Sequence, residues 1–179
     1  MSDGEIWIKT EPTVFGETYV VSVQFGEDRA VTLTPTRALE YASTVLAHAQ
    51  RAEYDAAVLK QLRTKGIGDD QAIMSMIVDM RKDRPPVDGE PTAPMQLSEG
   101  VNAEAKPFLA IHLDGSKWGQ FEVRQAREHA LGVLEAVEAA DLDAGYYRIL
   151  TGAVGLEEGV ARAVVNDLAS YRWEGESGD

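Results

Sequence analysis

Laid over itself with an offset of 88 positions, the sequence from Tyr19 to Arg84 falls on that from Pro107 to Arg172 without a gap, and its apolar positions stay in phase. Few identities accompany the match, among them Glu40/Glu128, Val45/Val133, Leu46/Leu134, Asp55/Asp143, Leu62/Leu150, Asp79/Asp167 and Arg84/Arg172. Phase is the stronger argument, because a slip of one residue in a strand would turn its apolar side chains to the wrong face. The chain is therefore read as two copies of one unit, which limits the folds open to it more than any other feature.

Each copy opens with a strand pattern. Tyr19, Val21, Val23 and Phe25 alternate with Val20, Ser22 and Gln24, and Leu109, Ile111 and Leu113 alternate with Phe108, Ala110 and His112. Period two marks half-buried strands. Turn formers follow, Gly26-Glu27-Asp28-Arg29 and Asp114-Gly115-Ser116-Lys117, before short strands carrying Val31 and Leu33 or Trp118 and Phe121. Upstream, Ile6-Trp7-Ile8 and Met95-Gln96-Leu97 supply a third strand to each meander.

Helical spacing then takes over. Thr34-Pro35 suits a helix start, followed by a stripe of Ala38, Ala42, Val45, Leu46 and Ala49 that matches Ala126, Ala130, Val133, Leu134 and Val137. Asp55 and Asp143 each precede a new apolar run and are expected to open a second helix, where the backbone dipole favours an acid. After glycine-rich turns, Asp69-Asp70 and Glu157-Glu158 open a last helix, with Ile73, Met76, Ile77 and Met80 or Val160, Val164, Val165 and Leu168 inward. The expected fold is α+β: a duplicated β-β-β-α-α-α unit, each copy a small antiparallel sheet with helices on one face, the two in a pseudo-twofold arrangement. The first repeat spans 1–84 and the second 95–174. A linker at 85–94 lies between them, in a stretch (83–94) that holds four of the seven prolines, and an acidic tail covers 175–179.

Composition narrows the functions. The chain has no cysteine, which removes disulfides, thiolate metal sites and cysteine nucleophiles and fits a reducing compartment. Seventeen Lys and Arg against thirty Asp and Glu give a formal charge of −13, which repels phosphate backbones and anionic lipid. No stretch approaches the roughly 18 apolar residues of a membrane span, and Met1-Ser2-Asp3-Gly4-Glu5 carries acids where a signal peptide is expected to carry Lys or Arg. A cytoplasmic protein that binds neither nucleic acid nor membrane directly is expected. Its Arg- and Ala-rich usage suggests a GC-rich genome such as that of an actinobacterium or its phage.

Catalytic signatures are missing. His48, His112 and His129 form no HExxH or similar metal pattern. Asp141-Leu142-Asp143-Ala144-Gly145 fails as a calcium loop, since its glycine comes one place early and Gly152 stands where a bidentate Glu is required. Gly152, Gly155 and Gly159 follow a helix, not a strand, and lack the Lys-Ser/Thr of a phosphate loop. No serine sits in a Gly-x-Ser-x-Gly elbow. No catalytic residue, metal or cofactor is assigned. The leading expectation is a non-enzymatic interaction or assembly protein, its partner a protein with a basic surface or a second copy of itself. An acidic nucleic-acid mimic that inhibits a host protein is the runner-up, and a small-molecule binder or enzyme using a crevice between the repeats is the third reading. The residues singled out for an interaction or pocket are Trp173, Trp118, His112, His129, Tyr41 and Gln24. Trp7 and Trp118 are expected to pack in the core.

Overall fold

A computed structural model describes residues 6–13, 18–26, 29–87 and 95–174, the side chains of 172–174 excepted. The acidic tail and most of the proline-rich linker lie outside the described residues. The element order is β1 (Ile6–Pro12), β2 (Tyr19–Phe25), β3 (Arg29–Leu33), α1 (Pro35–Thr64), α2 (Asp70–Lys82), β4 (Met95–Val101), β5 (Pro107–Leu113), β6 (Ser116–Glu122), α3 (Val123–Arg148), a π-helical turn (Ile149–Ala153) and α4 (Glu158–Glu174). The fold is α+β, with two three-stranded antiparallel sheets, β1-β2-β3 and β4-β5-β6, each followed by helices.

The duplication is visible in strand pairing. Val21↔Leu33, Ser22↔Thr32 and Val23↔Val31 in the first sheet correspond, residue for residue, to Leu109↔Phe121, Ala110↔Gln120 and Ile111↔Gly119 in the second. The hairpins differ. Between β2 and β3 three residues intervene, whereas Asp114 (φ 51°) and Gly115 (φ 75°) alone connect β5 to β6, the left-handed pair of a tight hairpin turn. A bulge beside Ile111 and His112 restores the missing residue, and the common register resumes beyond it.

Capping follows the local sequence. Thr34 accepts a hydrogen bond from Arg37 N (3.3 Å) at the start of α1, and Asp69 accepts one from Ala72 N (2.8 Å) at the start of α2. At α3, which lacks a capping hydroxyl, the Gln125 side chain reaches back to accept from Glu122 N (3.0 Å), half of a capping box.

Three expectations need correction. Asp55 and Asp143 do not open helices: α1 runs 30 residues through Asp55 and α3 runs 26 through Asp143. The first repeat is thus β-β-β-α-α, and the second has the same two helices with a π-helical turn between them. Both acids are buried in mid-helix, where a tertiary partner replaces the helix dipole as the source of stabilisation. Second, the last helices bury only part of their stripes. Ile73 and Ile77 of α2, and Ala161 and Val165 of α4, are inward, whereas Met76, Val160 and Leu168 are exposed. Third, Trp7 is 57% exposed, on the outer face of the edge strand β1 opposite Gln24, and Trp118 is only half-buried.

Two compact units emerge, and both are built from both repeats. One comprises residues 1–39 and 132–179: the first sheet with the later part of α3 and α4. The other comprises residues 40–131: most of α1, α2, the second sheet and the start of α3.

Candidate functional site

Three of the residues singled out by sequence meet in the 40–131 unit. Trp118 stacks near Phe121 (centroids 6.3 Å, 22°), Phe121 stacks near His129 (6.4 Å, 13°), and His129 meets Tyr41 edge-on (5.6 Å, 76°). Tyr41 Oη lies 2.8 Å from His129 Nε2. Burial lowers the His129 pKa to about 4 and raises that of Tyr41, so at neutral pH both groups are uncharged and share one hydrogen bond. A gap of ≈10 Å³ adjoins this row, lined by Val45, Leu97, Leu109, Ile111, Phe121, Ala126 and His129. It has room for one water molecule at most and an apolar lining that would not hold it. The aromatic row packs around a gap of this size.

The other singled-out residues lie apart. His112, on the opposite face of β5, pairs with Ser98 Oγ (3.0 Å). Gln24 is half-buried on β2, opposite Trp7 and Ala30. The Trp173 side chain is outside the described residues.

A second cluster in the same unit escaped the sequence reading. Asp55, 1% exposed, receives Arg81 Nε (2.7 Å) and the Arg84 guanidinium. Arg84 Nη1 also stands 3.7 Å from Glu99 Oε1, and Glu99 closes the group by bonding His48 Nδ1. Burial alone would raise the Glu99 pKa, but the His48 hydrogen bond and charge, its own backbone amide and Arg81 outweigh it and hold the carboxyl at about 2. Two carboxylates therefore face two guanidiniums. Arg84 covers the outer side by lying over the Tyr54 ring (5.7 Å), and Arg51 donates to the Pro85 carbonyl (2.6 Å) where the chain leaves α2. The cluster ties α1, the end of α2 and β4 together. Its acids are paired with the guanidiniums and its imidazole is buried. The recurrence of Asp55 as Asp143 and Arg84 as Arg172 was its only sequence signal, since partners 26–29 residues apart obey no local periodicity.

The unit of residues 1–39 and 132–179 has a related centre. Asp143, 1% exposed, accepts from Thr10 Oγ1 (3.1 Å). Tyr19 is buried beside it, and burial, then the Asp143 charge, raise the tyrosine pKa against the opposing effect of Arg162. Among the described residues no group of three or more His, Asp or Glu is placed to hold a metal ion, and no helix is long and apolar enough to cross a membrane.

The surface of that unit is less ordinary than its interior. Leu142 and Tyr146, one helical turn apart on α3, and Ile149 at its end are about half exposed (49%, 48% and 56%). On α4, Val160, Leu168 and Tyr171 are exposed as well. Exposed carboxylates flank these side chains: Glu135, Glu138 and Asp141 on α3, Glu157, Glu158 and Asp167 around α4.

No protein family, curated protein or solved structure matches this chain.

Proposed function

We propose that this chain is a non-enzymatic interaction or assembly protein that binds a partner with a basic-rimmed apolar surface. The observation that carries the reading is the exposed row Leu142, Tyr146 and Ile149 set among carboxylates. Single exposed apolar residues are ordinary, but a helical row of them including a tyrosine is the composition of a contact surface. The net charge of −13 makes a basic protein a better occupant than a second copy, which like charge would repel. Many acids already have cations of their own, Arg127 on Glu53, Arg63 on Asp70 and Arg124 on Glu128 among them. This favours the interaction reading over a nucleic-acid mimic, which needs an unbroken row of free charge. The lack of cysteine suits a cytoplasmic setting.

The pseudo-twofold relation of the repeats belongs to the same proposal. It is supported by the contact between Tyr41 and His129, 88 positions apart, because equivalent residues touch each other only close to a symmetry axis.

The test is capture by immobilised wild-type protein and by a Leu142→Asp/Tyr146→Asp variant, repeated at rising salt. A partner held by the wild type, lost by the variant and weakened by salt is expected. Equal capture by both proteins, or none by either, would count against the reading.

A further inference from the structure

In each compact unit the contacts that close the core run between repeats. In the 40–131 unit, Ala56 and Leu59 of α1 and Ile73 and Ile77 of α2 form one apolar cluster with Val101 at the end of β4 and Ala105 in the following turn. Ala105 takes a left-handed conformation (φ 57°) that alanine rarely adopts, held by Asn102 Oδ1, which accepts from Glu104 N (3.0 Å) and Lys106 N (2.9 Å). The turn of the second repeat is thus shaped to place its methyl group among helices of the first. Polar contacts cross the same boundary: His48 and Arg84 meet Glu99, and Arg127 grips Glu53 with two bonds (2.9 and 2.6 Å).

The unit of residues 1–39 and 132–179 repeats the plan in the other direction. Thr10 of the first sheet bonds Asp143 of α3, and Tyr19 lies within the field of Asp143, Arg162 and Tyr147. Ile8 packs so closely on Gly132 that a Cβ there would stand 3.2 Å from its Cδ1. A sheet whose own repeat supplied all its helical cover would be a self-sufficient bead. Here each sheet takes cover from helices on the far side of the linker.

The geometry points to a single-chain form of a helix-exchanged dimer. We infer that the two repeats are obligate partners, each one's helices being the binding surface for the other's sheet, and that the 85–94 linker is not needed to hold the folded halves together. This rests on the duplicated scaffold and not on any external partner, so it stands or falls separately from the capture experiment.

A protease recognition sequence inserted between Asp88 and Gly89 of the full chain, cut after folding, tests it. The nicked protein is expected to sediment as one species containing both fragments. Its thermal unfolding is expected to remain a single transition whose midpoint falls on tenfold dilution, whereas that of the uncut chain does not move. Two separated folded fragments, or two transitions indifferent to concentration, would overturn the inference. Hydrogen exchange on the uncut chain gives a second readout. Leu59→Ala, in the first repeat, is expected to speed exchange of the β4–β5 amides at least tenfold. Acceleration confined to α1 and α2 would overturn the inference.

Discussion

Asp55 and Asp143 occupy the same place in their repeats, both buried within a long helix, and their surroundings differ. Asp55 sits between Arg81 and Arg84 in a network that extends through Glu99 to His48. At Asp143 the sheet supplies a threonine hydroxyl, from a strand position matching that of Glu99. Strand pairing makes the match clear: Thr10 opposes Val21, Glu99 opposes Leu109, and Val21 and Leu109 are 88 apart. A buried acid is retained in both copies while one neighbour has changed from an acid to a hydroxyl. The buried acid is common to both repeats, and the strand residue at the matching position is not.

The comparison can be broken first at Asp55. Replacing it with Ala leaves two largely buried guanidiniums without their carboxylate and is expected to lower stability by about 3–5 kcal/mol in urea unfolding. A loss below about 1 kcal/mol would mean that solvent neutralises the arginines and that the network is ornamental.

Gly100 provides a second contrast. Its matching position, Glu11, faces Val20, whereas Gly100 lies under the Phe108 ring, where a Cβ would meet Cζ at 2.1 Å. Gly100→Ala is expected to destabilise by about 1–3 kcal/mol through forced displacement of the ring. Adding Phe108→Val, which recreates the partner found in the first repeat, should recover part of that loss; simple additivity would show that the ring is not the obstacle.

Tyr41 and His129 are matching positions with different acid responses. Because the folded pKa of His129 lies near 4, below its ordinary value of 6.5, protonation favours the unfolded chain. Stability is complete above pH 6.5 and falls as the pH drops toward 4, by about 2 kcal/mol after allowance for the ring's partial exposure. His129→Gln, which can still hydrogen-bond Tyr41, should flatten that limb. Glu99, held near 2, should add a second loss between about pH 4.5 and 2 that the variant keeps. An unchanged limb above pH 4 in the variant would assign it elsewhere.

The smallest effect is expected at Thr10. Thr10→Val removes one hydrogen bond to Asp143 and should lower stability by about 1 kcal/mol, well short of the Asp55 change. Equality of the two would mean that the Thr10 hydroxyl carries as much as the Asp55 carboxylate.

Much of the scaffold could be read from neighbouring residues. Alternation at Tyr19, Val21, Val23 and Phe25 placed β2 with the correct face inward, and Thr34 and Asp69 marked helix starts they do cap. The 88-residue offset anticipated a shared β2–β3 and β5–β6 register. These features depend on periods of 2 and 3.6 and on side chains bonding amides three residues away, all short-range and written in consecutive residues. Of the site residues, Tyr41, His129 and Trp118 were flagged by type, and nothing in their spacing showed that they would stack in one row.

Other outcomes were decided only in three dimensions. Asp55 reads locally as a helix start, yet it lies buried in mid-helix, where Arg81 and Arg84 fold back onto it from beyond the next turn. Val160 and Leu168 fit an inward stripe and are exposed, whereas Ala161 and Val165 between them are buried. Above all, an amphipathic helix carries no record of which sheet its apolar face will cover, since either sheet would satisfy the same pattern. Contacts that join one repeat to the other, such as those of Ala105, Glu99 and Gly132, are long-range and depend on shape and charge that no local period reveals.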